Sequence, residues 1–302
     1  MRTSLFGTAI LAAALALGAA AAHASNFQQQ VAADPRGEVD VSNIAGAIEI
    51  SGWDQPTVSV TADLPSDTKR VRVTSGHGRT SVSISYPSGG DSSGFFGHKA
   101  PVHLEVHVPR GSELDVSGVS AAITSSGMAG SQRLHAVSGN IRAELGSGDD
   151  EVNSVSGNVD LHGSNQDGTL QVASVSGNLT VTDVAGELEA RTVGGTLTAG
   201  LSSARLVRLN TTSGNIRLTA RLTSGGTVES ETISGEQQLE VSAPEGYSYG
   251  ARTLSGDIKD CFGQQPDKNP YGPGSRLNGT RGGGAGHVRI KSLSGDISLC
   301  DR

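Results

Sequence analysis

Apolar residues recur at alternate positions through most of this chain, in short runs interrupted by one small-polar corner. "NSVSGNVDLHG" at 153–163 and "ASVSGNLTVTD" at 173–183 are two copies of the unit. The corner starts at Ser138, Ser156, Ser176, Gly194, Ser213, Ser234, Ser255 and Ser294, at spacings of 18, 20, 18, 19, 21, 21 and 39 residues. Three residues after each start stand Ile141, Val159, Leu179, Leu197, Ile216, Gln237, Ile258 and Ile297, and two further on the column is again mostly apolar. Period two is the signature of a strand with one buried face. Extended straight through the corner, the same period places Val137, Val155, Val175, Val193, Ile233, Leu254 and Leu293, one residue before it, on the buried side as well. The column Arg142, Asp160, Thr180, Arg217, Gln238 and Lys259 is polar and variable and belongs in water.

A unit of two short strands cannot bury its apolar face alone, whereas a stack of such units builds a continuous narrow core. The expected fold is therefore all-β, a parallel β-solenoid of roughly 20-residue rungs with a less regular, strand-rich N-terminal part. Stacking turns matching letters into vertical neighbours. Asn140, Asn158, Asn178 and Asn215 then form a side-chain hydrogen-bond ladder, and Ser154, Ser174, Thr192, Thr211, Thr232, Thr253 and Ser292 a hydroxyl ladder. The corner glycine stands where a side chain would clash, or supplies a positive φ, or both.

The organisation follows. Residues 1–24 carry Arg2, an apolar core from Ala9 to Leu17 and Ala22-His23-Ala24, the pattern of a secretory signal peptide. Residues 25–116 hold the N-terminal strands and the start of the solenoid, with Asn43–Ile48 as a degenerate corner. Residues 117–302 hold the regular repeats. The Gly/Pro-rich stretch 262–286 reads as a long loop. Cys261 and Cys300 each lie six residues after their corner, so adjacent rungs about 4.8 Å apart bring them within disulfide reach and staple the C-terminal end. The sole Trp, Trp53, follows a strand and reads as a cap over the open core.

Composition narrows the class. Glycine contributes 42 of 302 residues and aromatics 3%, so the core must be built of small aliphatics. The net charge of −7 with interspersed signs excludes nucleic acid as a partner. No transmembrane stretch follows the signal peptide, and a two-cysteine chain with a leader is expected to be exported, to the periplasm or the cell surface.

"NIAGAIEISGWD", "VHLEVHVPRGSELDVSGVS" and the serial "VSGN" units together resemble a widespread bacterial family of exported β-strand-repeat proteins. That family is of unknown function and carries the label "putative adhesin". The resemblance covers most of the mature chain and brings no catalytic or binding residues with it.

The candidate chemistry is sparse. Gly148-Asp149-Asp150, Gly76-His77-Gly78 and Arg289-Ile290-Lys291 resemble polygalacturonase motifs, which makes a polysaccharide-acting β-helix lyase or hydrolase the alternative function. The histidine motif precedes the aspartates, no Asn-Thr-Asp exists, and Asp149 and Asp150 fall in the loop of their rung. Catalytic carboxylates must lie within about 6.5–9.5 Å of each other, whereas these fragments are rungs apart. His103 and His107 alternate with Glu105 along one strand, which reads as a solvated face rather than a metal site. No catalytic residue, cofactor or metal is expected. No aromatic occurs between Gly97 and Gly246, so the repeats are a poor sugar platform; aromatics gather at two loops, Phe95 and Phe96 in one, Phe262 and Tyr271 in the other. The expected role is a non-enzymatic scaffold or adhesin-like protein that meets an unidentified envelope component, protein or polysaccharide, through those loops.

Overall fold

The computed structural model describes residues 25–64, 70–86, 101–268, 270 and 272–301. The expected signal peptide, Phe95, Phe96 and Tyr271 lie outside the described residues. Every regular element described is a β-strand, and all belong to one 20-stranded hydrogen-bonded system.

The repeat stacks as two facing sheets. On one, Asp149–Ser156 lies parallel to Gln132–Ser138 on one side and to Asp167–Ser176 on the other, so that Leu134, Val152 and Val172 are vertical neighbours. On the other, Val159–His162 lies parallel to Ile141–Glu144 and to residues 179–182, stacking Ile141, Val159 and Leu179. These columns are at most 3% exposed and form one continuous core. Arg142, Asp160 and Lys259 point to water as expected.

The structure makes two corrections, the first of them to the order of the rungs. The stack is not laid down rung after rung along the chain. Residues 227–234 pair with Gly286–Ser294, which in turn pairs with Gly246–Ser255. The last repeat in sequence is thus inserted beneath the one before it. The N-terminal end does the same in mirror fashion. Glu38–Trp53 is flanked by Glu113–Ser126 on one side and, on the other, by Arg79–Ser85 and Val102–Pro109, which come between them in sequence. The second correction concerns 262–286, which is not merely loop. Ser275–Gly282 pairs antiparallel with Gly246–Ser255, and Asp267–Lys268 pairs antiparallel with it in turn. Arg70–Gly76 lies antiparallel to Arg79–Ser85, and Thr57–Leu64 lies antiparallel to Val102–Pro109, so antiparallel strands flank both outer rungs. An antiparallel strand covers backbone groups that a parallel edge would leave open to another chain.

The corner glycines pack against the neighbouring rung. A Cβ on Gly157 would stand 2.2 Å from the Gly139 carbonyl oxygen, and one on Gly177 would stand 2.2 Å from that of Gly157. Gly157 and Gly177 also take φ of 143° and 126°, while Gly139 and Gly214 meet the same close approach without a positive φ. Close approach is therefore the common requirement. The asparagine ladder forms, but to backbone. Asn140 Oδ1 accepts from the Asn158 N–H, Asn158 Oδ1 from the Asn178 N–H and Asn178 Oδ1 from the Thr196 N–H, at 2.9–3.0 Å. Asp296 does the same for Asp257 at 2.8 Å.

The hydroxyl ladder is corrected. Its members are buried and in register, Ser154 opposite Ser174 and Thr232 opposite Ser292. Yet the hydroxyls of Ser154, Ser174, Thr211, Thr232 and Ser292 have no hydrogen-bond partner, while Thr192 and Thr253 donate to corner carbonyls. They fill the narrowing core near the bend as small side chains.

Candidate functional site: an aliphatic stripe and its groove

The valine column before the corner points outward, against expectation. Val137, Val155, Val175, Val193, Ile233, Leu254 and Leu293 are each 48–52% exposed, with Val119 at 47% and Ile44 at 37%. The buried positions run four and two residues before the corner start, then three and five after it. The interval across the bend is five, an odd number, so the inward parity flips there. A straight strand would have kept it.

These nine are all of the exposed large hydrophobic residues among the described residues. Each occupies the same place in its rung, and Thr212 fills the one polar gap. In spatial order the stripe runs from Ile44 through Val119 to Val193, past Thr212 to Ile233, and then to Leu293 and Leu254. Ten rungs at about 4.8 Å make it roughly 43 Å long. Isolated exposed aliphatics are ordinary, but soluble monomers rarely align several hundred Å² of them in one contiguous patch.

A groove runs beside the stripe. Its second ridge is the next outward column, two residues earlier, which holds His135, Asn153, Arg191, Glu231, Lys291 and Arg252. Two cavities of about 650 and 1130 Å³ follow one another along this groove and share Ala173 and Ser174. The larger is walled by Pro270, Pro273 and Gly274 from the segment that follows Asp267–Lys268. The column's apolar letters were legible in the sequence, but the straight-strand reading hid them in the core.

The residues singled out from the sequence disperse over the fold. Phe262 is not an exposed anchor. It packs half-buried against the core, 5.7 Å from the Tyr249 ring, with the Arg281 guanidinium 4.3 Å above it. Tyr247 and Tyr249 are buried beside it, and the Tyr247 hydroxyl donates to Asp301 Oδ1, while Asp301 Oδ2 accepts from both Nε and a terminal nitrogen of Arg281. Desolvation and the Asp301 carboxylate hold the Tyr247 phenol far above its ordinary range. This aromatic plug closes the C-terminal end of the core. Trp53 does not cap the core. It stacks on His107 from the outer face, with ring centroids 5.2 Å apart, and donates through Nε1 to the Thr57 carbonyl.

Cys261 and Cys300 are disulfide-bonded with Cα atoms 4.9 Å apart, which ties the outermost rung to the inserted one. His103 faces Glu49 at 3.7 Å and His107 faces Glu105 at 3.2 Å. Among the described residues no group of three or more His, Cys, Asp or Glu is placed to hold a metal.

The polygalacturonase-like fragments do not converge. His77 and Gly78 form the tight turn between Arg70–Gly76 and Arg79–Ser85, both with positive φ. Asp149 and Asp150 begin a strand rather than lying in a loop, and Arg289 and Lys291 stand on a rung several removed, ion-paired to Glu229 and Glu231. Asp150 is 5% exposed and turned inward, where its Oδ1 accepts from the Gln132 N–H at 2.8 Å. Burial raises its carboxyl to about 6, with Asp149 adding to the shift and the Gln132 bond opposing it. Gln132 also accepts from the Ser125 hydroxyl, and an equivalent buried pair joins Ser230 to Gln237 at 2.6 Å. Gln237 thereby enters an otherwise aliphatic column without an unpaired side-chain carbonyl.

Among the described residues no helix is long and apolar enough to cross a membrane. No curated protein matches the chain in sequence. Among solved structures, a "putative adhesin" from Bacteroides fragilis NCTC 9343 aligns at 9% identity and a TM-score of 0.38, over 93% of this chain and 99% of that one. A "putative adhesin" from Parabacteroides distasonis ATCC 8503 aligns at 12% identity and 0.34, over 93% and 98%. A "putative cell adhesion protein" from Clostridium sporogenes ATCC 15579 aligns at 8% and 0.23, over 92% and 100%. The match to the family described as Toastrack DUF4097 spans residues 36–300, which takes in the entire stack from its first rung to its last, and the chain belongs to that family.

Proposed function

We propose that the chain is an exported, non-enzymatic β-solenoid scaffold with an adhesin-like role in the bacterial envelope, periplasmic or at the cell surface. The stack provides length and rigidity, and the stripe and its groove provide the contact surface. The observation that carries this reading is the confinement of every exposed large aliphatic among the described residues to one column. An apolar column maintained over nine rungs at sites that contribute little to the core has its explanation in a partner. Folding of Phe262 onto the core takes that side chain out of the expected contact. The partner is an extended envelope component, since the surface is about 43 Å long and only one side chain wide.

The reading is tested by binding of the mature chain to envelope material from its own source. Val155→Ser/Val175→Ser keeps the stack intact, because both side chains are half-exposed, and is expected to weaken binding at least tenfold. Deletion of 87–100 is the comparison, since it removes Phe95 and Phe96. Loss of binding on that deletion, with the stripe variant unaffected, returns the contact surface to the loop and overturns the groove assignment.

A further inference from the structure

The two ends of the groove differ in charge. At the C-terminal end, Arg276, Arg252 and Lys291 stand side by side on three adjacent strands, with Arg252 opposite Arg276 on one side and Lys291 on the other. Lys291 is paired with Glu231. Asp267 is the register partner of Arg276, but among the described residues neither Arg252 nor Arg276 has an ion-pair partner. Both are exposed and both line the larger cavity. Next to them stand the bulkiest aliphatics at consecutive places in the stripe, Leu254, Leu293 and Ile233, after which Thr212 interrupts it.

We propose that this end of the groove binds the acyl chain of an acidic lipid, with its head group at Arg252 and Arg276. The assignment rests on the groove being a binding surface and names what its C-terminal end takes. Length agrees. Leu254 to Ile233 plus the rung of Thr212 spans about 14 Å, and one leaflet's chains occupy half of a hydrocarbon core of about 30 Å. Width agrees, since ridges two residues apart stand about 6.6 Å apart centre to centre and leave a shallow furrow along which a single chain can lie. The cavity of about 1130 Å³ lies just above the usual range of small-molecule sites and carries a proline wall. Charge agrees, because two unpaired guanidiniums on a chain of net charge −7 mark a local anion site. Other occupants fit less well. Among the described residues no aromatic lines the cavity to stack on a sugar ring. A second copy needs roughly 800 Å² per partner, more than a stripe one side chain wide offers. A peptide strand needs open backbone groups, and those of this face are already paired in the ladder.

The test is fluorescence titration of the mature protein with 11-(dansylamino)undecanoic acid below its micellar concentration, and with its methyl ester. Saturable binding of the acid is expected, at least tenfold tighter than the ester. Arg252→Gln/Arg276→Gln should remove that preference, and Leu254→Ser/Leu293→Ser should abolish binding of both probes. Arg142→Gln, exposed on the other sheet and away from the groove, should change nothing. The acid–ester comparison on the unaltered protein needs no variant to fold. Absence of saturable binding, equal binding of acid and ester, or binding that survives both double variants overturns the proposal. Loss of envelope binding on Val155→Ser/Val175→Ser without any fatty-acid binding sinks the lipid assignment alone. Failure of both experiments sinks the groove reading with it.

Discussion

The carbonyl oxygen of Gly139 lies 2.2 Å from the place where a Cβ on Gly157 would have to stand. One rung therefore rests on the next at the corner through glycine against backbone, with nothing between them. Gly157→Ala combines that overlap with an unfavourable φ of 143° and is expected to destabilise the protein by about 2–4 kcal/mol. Gly76→Ala is the contrast, because a Cβ there meets nothing within 4 Å. It should fall within about 0.5 kcal/mol of the unaltered chain. Urea denaturation of the two variants separates close approach from a general intolerance of lost glycine.

Asp150 predicts a pH dependence with a definite sign. Its folded-state carboxyl is raised to about 6 from an ordinary 3.8, so between these values the folded chain binds the proton that the unfolded chain has released. Its contribution to stability therefore falls as pH rises from about 4 to 6, by up to about 3 kcal/mol, and is constant above that window. Asn at this position keeps an acceptor for the Gln132 N–H and cannot ionise. Asp150→Asn should match the unaltered protein near pH 4 and exceed it near pH 7. A stability difference that does not change between those pH values would count against the buried carboxyl.

The disulfide joins the outermost rung to the inserted one across 39 residues of sequence. Loop-closure entropy for a ring of that size predicts a loss of about 3–4 kcal/mol on Cys261→Ser/Cys300→Ser. The loss should be local. Hydrogen exchange is expected to accelerate in 246–260 and 275–301 and to stay unchanged around 132–182, because rungs interact with nearest neighbours.

The Ser230 hydroxyl donates to Gln237 Oε1 at 2.6 Å inside the core, and both residues are fully buried. Ser230→Ala removes the donor and leaves the acceptor, at a cost of about 1–3 kcal/mol. Adding Gln237→Leu to Ser230→Ala should recover much of that, since the column is otherwise aliphatic. A double-mutant cycle by thermal unfolding reads the coupling, and additive effects would show that the pair is not linked.

Much of the frame was legible in the letters because a stack repeats its environment. Every rung needs an aliphatic at Ile141, Val159 and Leu179, a glycine at Gly157 and Gly177, and an acceptor at Asn140 and Asn158, so one set of constraints is written eight times. Cys261 and Cys300 announced their contact by equal spacing from the corner. By itself, then, the sequence determined the β class, the rung length, the inward columns after the corner, the asparagine ladder and the staple. Three matters were decided only by the tertiary structure. The bend shifts parity by one, which turns Val155 and its column from core to surface, and no period counted along a straight strand contains that shift. The rung order is set by which strand edges pair across the stack, so Leu293 lies beneath Leu254 although it follows it in the chain. The fate of Phe262 depends on Tyr249 and Arg281, distant in sequence and joined to it only by the closing of the stack. Local patterning reports what a position needs; only the folded chain establishes which surfaces remain uncovered.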